Sequence, residues 1–265
     1  TFVIPETVAE MGSSVFYNCK SLNNVVVPED CSLDDSSGFF NGCESLTNYT
    51  LPSSMTILPY NFFSNCKSLT SVDLSQFAEV YDYVLNGSGV TEITVYANTY
   101  YEYAPFADMD ELVNINFEEG FNGFIDEFFY GCDKLEEVVL PNSATYYSWG
   151  EFAECRSLRK VTLPNNTDYT STGWGTFYGC TALETIEIPE TVTEINDTFG
   201  YSGLTEITIP SGVTEISDYA FDTCKNLVTV NFAKNSQIER IGEWAFYDCK
   251  SLENIVLPST VTEIG

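Results

Sequence analysis

Apolar residues recur along this chain in units of about 23 residues, and the period of the pattern changes inside each unit. The clearest unit runs Ile209-Pro210-Ser211-Gly212-Val213-Thr214-Glu215-Ile216, then Ala220-Phe221 and Cys224, then Leu227, Val230 and Phe232. Another runs from Pro5 through Val8, Met11, Phe16, Cys19, Leu22, Val25 and Val27 to Pro28. The shared template is P-x-x-V-T-x-I-G-x-x-A-F-x-x-C-x-x-L-x-x-V-x-L-P. Threading it along the chain gives eleven registers. Its Leu position is held by Leu22, Leu46, Leu69, Val90, Leu112, Leu135, Leu158, Leu183, Leu204, Leu227 and Leu252, at spacings of 21 to 25. Its Phe position is held by Phe16, Phe40, Phe63, Leu85, Phe106, Phe129, Phe152, Phe177, Phe199, Phe221 and Phe246.

Each part of the template predicts an element. The alternating L-x-x-V-x-L is a short strand with one buried face, ended by proline, which has no N–H for the ladder. V-T-x-I suits a second short strand. The x-x-A-F-x-x-C piece suits a single helical or 3-10 turn. One unit cannot bury its own apolar side, whereas stacked units bury a continuous core. The expected fold is therefore a β-rich α/β solenoid with right-handed crossovers. Its parallel strands would stack in one sheet at about 4.8 Å, with second strands and helical or 3-10 turns on the other side. The expected organisation is a single solenoid over residues 1–265. The chain opens inside a strand (Phe2, Val3, Ile4) and closes inside a V-T-x-I-G lead-in (Val261 to Gly265), both apolar and uncapped. It is therefore read as a fragment of a longer repeat protein, with end-to-end self-association as one way to cover the ends.

The A-F-x-x-C-x-x-L core and the V-T-x-I-G lead-in resemble the BspA-like, or Treponema-type, leucine-rich repeat family over essentially the whole chain. The departures are Tyr101 for the lead-in Ile, Met109 for the Cys, and an interval from Cys155 to Cys180 that is two residues longer than the 23-residue repeat. The resemblance implies a bacterial extracellular or cell-surface protein that binds other macromolecules, with adhesion to host or matrix proteins as the expected role. It carries no catalytic residue to this chain.

Charge narrows the partners. There are 39 acidic and 10 basic residues, a formal net charge of −29. Phosphate backbones need clustered Lys and Arg, so no nucleic-acid partner is expected, and an anionic membrane surface is disfavoured for the same reason. No apolar run is long enough to span a bilayer, so no membrane insertion is expected. The chain has no histidine, which removes Ser-His and Cys-His nucleophile pairs and HExxH zinc sites. No enzymatic role and no cofactor are expected. The rival reading is a carbohydrate-binding or carboxylate-based glycan-active protein, in which stacked acids such as Glu187 and Glu206 approach the separations that glycosidases use.

Two surfaces are candidates for contact with a protein or glycan ligand. The outward strand positions form a polar grid that includes Asn114, Asn116, Glu137, Lys160, Thr162, Glu187 and Glu206. Trp149 and Trp174 share one template position, each followed by Gly, with Tyr146 close by. Exposed aromatic rings are frequent binding hot spots. Trp244 is taken as their internal contrast. Eight cysteines (Cys19, Cys43, Cys66, Cys132, Cys155, Cys180, Cys224 and Cys249) share one inward position where Ser88, Ser202 and Met109 also occur. They are read as buried free thiols touching backbone carbonyls; Cys31 lies outside the column. Lys134, Arg156, Arg159 and Lys160 are read as offsetting nearby acids. Asp30, Asp34, Asp35 and Asp108, Asp110, Glu111 are the residue types of a Ca²⁺ site, but no known Ca²⁺ pattern accompanies them, and no metal site is assigned. N-x-S/T sequons stand at Asn48, Asn86, Asn165 and Asn196.

Overall fold

A computed structural model of the chain describes every residue except Asp34 and Asp35. The chain divides into two compact units: Thr1–Glu118 with Gly131–Asp133, and Glu119–Tyr130 with Lys134–Gly265. Each is a parallel-strand solenoid of leucine-rich-repeat type.

The first unit carries β1 (Phe2–Val3), β2 (Asn24–Val26), β3 (Asn48–Thr50), β4 (Ile57–Leu58), β5 (Glu79–Val80), β6 (Glu92–Val95), β7 (Tyr100–Tyr101) and β8 (Asn114–Phe117). β1, β2 and β3 pair in parallel, with Asn24 opposite Asn48, and β6 pairs with β8, with Glu92 opposite Asn114. The V-T-x-I lead-ins form a separate ladder, β4-β5-β7. The second unit carries β9 (Glu137–Val139), β10 (Lys160–Thr162), β11 (Glu194–Ile195), β12 (Glu206–Ile209), β13 (Glu215–Ile216), β14 (Thr229–Phe232), β15 (Arg240–Ile241), β16 (Asn254–Ile255) and β17 (Glu263–Ile264). Its principal strands pair as β9-β10 and β12-β14-β16, and its lead-ins as β11-β13-β15-β17. The second short strands are thus present, and the outward residues of paired strands stand opposite one another as the template requires.

Two expectations are corrected. The principal strands do not stack in one sheet. Residues 71–74 in the first unit and 185–188 in the second form no strand. Each interruption lies at the start of one of the two 21-residue intervals, Leu69 to Val90 and Leu183 to Leu204. A coil two residues short cannot hold its strand level with the one before, so the ladder stops and restarts.

The A-F-x-x-C segment is also not helical. Among the described residues there are no helices. The residues two before and two after the Phe column take left-handed φ: Ser14 and Asn18 around Phe16, Gly38 and Gly42 around Phe40, Tyr219 and Thr223 around Phe221. A helix needs an unbroken right-handed run, and alternating hands forbid it. The segment is instead a string of tight turns, as in Cys43 N–H to Phe40 O (2.9 Å) and Asn41 N–H to Gly38 O (3.1 Å). In the Phe40–Cys43 turn the third residue, Gly42, has the positive φ of the type II arrangement, which favours Gly and Asn. The intervening N–H groups reach into the next coil: Phe16 to Phe39 O (3.1 Å), Asn18 to Asn41 O (2.8 Å), Phe40 to Phe62 O (3.0 Å). Backbone polar groups on this side are therefore satisfied between coils, as a buried edge demands.

The core follows the template. The Phe column is buried from Phe16 to Phe221, and Phe246 is half-buried. Successive rings lie nearly parallel: Phe40 on Phe63 at 5.7 Å, Phe152 on Phe177 at 6.1 Å, Phe221 on Phe246 at 5.4 Å. All nine cysteines are free. The column thiols donate to the Phe carbonyl of the preceding coil, Cys43 to Phe16 O (3.1 Å), Cys66 to Phe40 O (3.2 Å) and Cys224 to Phe199 O (3.0 Å). Burial pushes the Cys43 thiol up to about 11 and Cys224 to about 12. Cys19 departs from the expectation: it is exposed.

Candidate functional site

Trp149 and Trp174 stand opposite each other in an isolated parallel bridge within the second unit. Gly150 N–H donates to Trp174 O (2.8 Å) and Trp174 N–H to Ser148 O (3.4 Å). Both side chains point outward, 48% and 51% exposed, and Tyr146, bridged to Gly123, is 62% exposed. The Trp149 indole rests over Gly175, where a Cβ would come within 3.3 Å of its Nε1. Gly175 therefore leaves room for the Trp149 ring, whereas a Cβ on Gly150 would meet only Ala153 and Glu127, at 3.6 and 3.7 Å. Trp244 does not supply the expected contrast. It is 50% exposed and packs against Tyr219 (6.3 Å) and Tyr247 (4.7 Å). Its φ of +60° places it at the left-handed position before the Phe column, whose side chain faces away from the core.

Beneath the tryptophan pair the core turns polar. The position before the Phe column, normally Ala or Phe, is Glu151, Thr176 and Thr198 in three successive coils, all fully buried. Thr176 Oγ1 lies 2.9 Å from Glu151 Oε2 and 2.9 Å from Thr172 O. Thr172 Oγ1 and Thr198 Oγ1 are 2.7 Å apart, and Thr198 donates to Gly173 O (2.8 Å). Glu151 Oε1 and the hydroxyls of Tyr147 and Tyr169 are buried without a hydrogen-bond partner among the described residues. Burial raises the Glu151 carboxyl to about 7, and burial likewise raises the Tyr147 and Tyr169 phenols. Sequence reasoning missed this cluster. The signal was available in the replacement of the template Ala by Glu and Thr in adjacent units.

The strand grid is a separate surface on a different segment of the coil. Asn114 and Asn116 are exposed on β8 of the first unit, where Asn116 Nδ2 donates to Glu92 Oε1 (2.6 Å). In the second unit Glu137 and Lys160 are opposite in the ladder and ion-paired (3.1 Å), so each occupies the other. Thr162 and Glu187 line one shallow groove with Asn165 and Glu190; Glu187 and Glu206 line the next with Thr185 and Thr208. Glu187 itself lies in the interrupted segment and not on a strand.

Other candidates resolve simply. Arg156 pairs with Glu154 (3.0 Å) and Arg159 with Glu136 (2.7 Å), as expected for residues that offset acids. Arg240, not singled out by sequence, joins Glu215, Asp218 (3.1 Å) and Glu263 (3.2 Å) across β13, β15 and β17. Among the described residues no group of three or more His, Cys, Asp or Glu is placed to hold a metal ion; Asp34 and Asp35 lie outside them. Of the sequons, Asn48 and Asn165 are exposed and Asn196 is buried. No described helix is long and apolar enough to cross a membrane.

Comparison with known proteins accords with this geometry. The chain superposes on a leucine-rich repeat protein from Bacteroides ovatus with a TM-score of 0.80, at 24% identity over 99% of this chain and 76% of that one. It also superposes on a leucine rich cell surface protein from Faecalibacterium prausnitzii (TM-score 0.56, 25% identity, 99% and 77% covered). A third similar structure is a leucine-rich repeat protein from Eubacterium ventriosum (TM-score 0.55, 19% identity, 97% and 87% covered). No curated protein matches. The six-copy profile of the BspA type leucine rich repeat region matches residues 1–104, 98–202 and 195–265. The chain belongs to the BspA-type leucine-rich repeat family.

Proposed function

We propose that this chain is a bacterial extracellular or cell-surface module that adheres to host or matrix proteins, and that it is not an enzyme. The observation that carries the reading is the Trp149–Trp174 pair, two indoles half exposed and in register on adjacent coils. Aromatic rings held by a stiff backbone give large contact area at little entropic cost. Tyr146 extends the same surface, and the acidic charge keeps it soluble. The cell-surface protein of Faecalibacterium prausnitzii supports the location.

The test is binding to a panel of immobilised host matrix proteins, comparing the chain with a Trp149→Ala, Trp174→Ala double variant. A binder that loses at least tenfold in affinity on the double substitution supports the reading. A blank panel, or binding indifferent to both tryptophans, refutes it. A second reading, glycan binding, draws on the grooves lined by Thr162, Glu187 and Glu206. A glycan array separates the two, with Glu187→Gln and Glu206→Gln as the matched variants.

A further inference from the structure

A second aromatic surface lies in the first unit, on the outward side of the lead-in ladder. In β4-β5-β7 the buried residues are Leu58, Val80 and Tyr101, while Ile57, Glu79 and Tyr100 stand opposite one another on the other face. The Tyr60 and Tyr81 rings pack at 4.9 Å. Tyr60 donates to Glu102 (2.8 Å) and Tyr81 to Glu79 (2.9 Å). Tyr60 and Tyr100 are 36% and 59% exposed. Three carboxylates thus stand among three phenol rings, two of them engaged by hydroxyls of the cluster. The third is different: Asp82 Oδ1 is shielded from water and accepts no hydrogen bond among the described residues. Burial and the Glu102 charge hold its carboxyl up at about 6. A buried acceptor left without a donor is costly unless something supplies one.

The chain itself offers no cation here. Between Lys67 and Lys134 there is no Lys or Arg, against thirteen Asp and Glu residues. Lys67 is turned to Glu44 (3.8 Å). The complement to this acidic, aromatic face is a positive group with several N–H donors and a flat face that suits tyrosine rings. A guanidinium has all three properties, an ammonium only the first and part of the second.

We propose that Tyr60, Tyr81 and Tyr100, with Glu79, Asp82 and Glu102, receive an arginine-bearing segment of a protein partner. The inference rests on the interaction-module reading and adds a partner chemistry at a surface separate from the Trp149–Trp174 pair. Guanidinium groups stack on the exposed Tyr60 and Tyr100 faces and pair with the part-exposed Glu79 and Glu102 carboxylates.

The test uses the 265-residue chain and fluorescein-labelled hexa-arginine and hexa-lysine, followed by anisotropy in 150 mM NaCl, where distant charges are screened beyond about 8 Å. Three variants are compared: Glu79→Gln, Asp82→Asn, Glu102→Gln combined; a remote control of Glu184→Gln, Glu243→Gln, Glu253→Gln combined; and Tyr100→Leu. Melting curves check that each folds. The expected result is tighter binding of hexa-arginine than hexa-lysine. The local triple should weaken it at least tenfold and the remote triple less than twofold, while Tyr100→Leu narrows the arginine preference. Equal losses in the two triples, or equal affinity for the two peptides, overturn the proposal and leave only diffuse attraction to the net charge. A chain that binds matrix protein through Trp149 and Trp174 but ignores hexa-arginine loses this inference alone.

Discussion

The hydroxyl of Thr176 lies 2.9 Å from the Glu151 carboxyl and 2.9 Å from the Thr172 carbonyl, inside a dry core. A threonine has one hydroxyl hydrogen to give. The Thr172 carbonyl can only accept it. Glu151 Oε2 is its other acceptor within reach, so the one hydrogen is shared between the carboxyl and the carbonyl. Burial outweighs the hydrogen bonds from Thr176 and the backbone, which favour the charged form, and raises the carboxyl to about 7.

Linkage turns this into a pH dependence. The carboxyl is raised from 4.5 to about 7 on folding, mainly by burial. Its contribution is full below pH 4.5, where both states hold the proton, and is lost as pH rises through about 7. At pH 8 the difference is on the order of 3 kcal/mol. Glu151→Gln should remove it. Other acids raised by burial, such as Asp82 and Asp197 at about 6, stay in both proteins and cancel. Urea unfolding at pH 4.5, 6 and 8 should show wild type losing that much more stability than the variant; parallel profiles would contradict the assignment.

Core truncation should be severe wherever the Phe column is fully buried. Phe129→Ala and Phe152→Ala, both at 0% exposure, should each cost about 3–5 kcal/mol. Phe246, half-buried, should cost clearly less. Equal losses at Phe152 and Phe246 in denaturant titrations would show that burial does not govern the column.

The two short coils depend on glycine. A Cβ on Gly89 would fall 2.2 Å from Lys67 O, and one on Gly203 2.1 Å from Thr181 O. Both contacts are to backbone and cannot be relieved by rotating a side chain. Gly203→Ala should lower the melting temperature by many degrees, while Gly212→Ala, whose nearest neighbours lie 3.7 Å away, should leave it nearly unchanged. A similar melt for the two variants would rule out close coil approach as the reason for Gly203.

Thiol chemistry should separate Cys19 from the rest of its column. Cys19 is exposed, whereas Cys43, Cys66 and Cys180 are fully buried and donate to carbonyls. At pH 8 a thiol reagent should label Cys19 in the native chain, with the buried thiols appearing on denaturation without prior reduction. Mass spectrometry of the native product would decide it: label spread evenly over the column argues against burial.

All three tryptophans should be open to acrylamide, with red-shifted emission, since Trp149, Trp174 and Trp244 are each about half exposed. A neutral quencher is needed because the charge of −29 repels iodide. A blue, unquenched component in the Trp244→Phe variant would place Trp149 or Trp174 inside.

The repeat was legible because stacking imposes the same inward positions on every coil. The Phe, Leu and Cys columns and the places of the two strand segments follow from periodicity, while the exposure of Trp149 and Trp174 was expected from their shared template position and the glycine after each. Even the left-handed turn positions left a trace, in Asn18, Gly42, Asn65, Gly87, Asp108 and Gly131, which pattern reading for a helical turn passed over. A local pattern cannot say where an N–H finds its acceptor, and in this segment the acceptors lie one coil away in space and about 23 residues away in sequence. The same holds for the breaks at 71–74 and 185–188, which depend on the length of the following coil. It holds for Glu151, whose carboxyl meets Thr176 of the next turn and is raised by burial. Sequence determined which residues face inward, because the period is local; tertiary structure decided what they meet there, because each coil is completed by its neighbours.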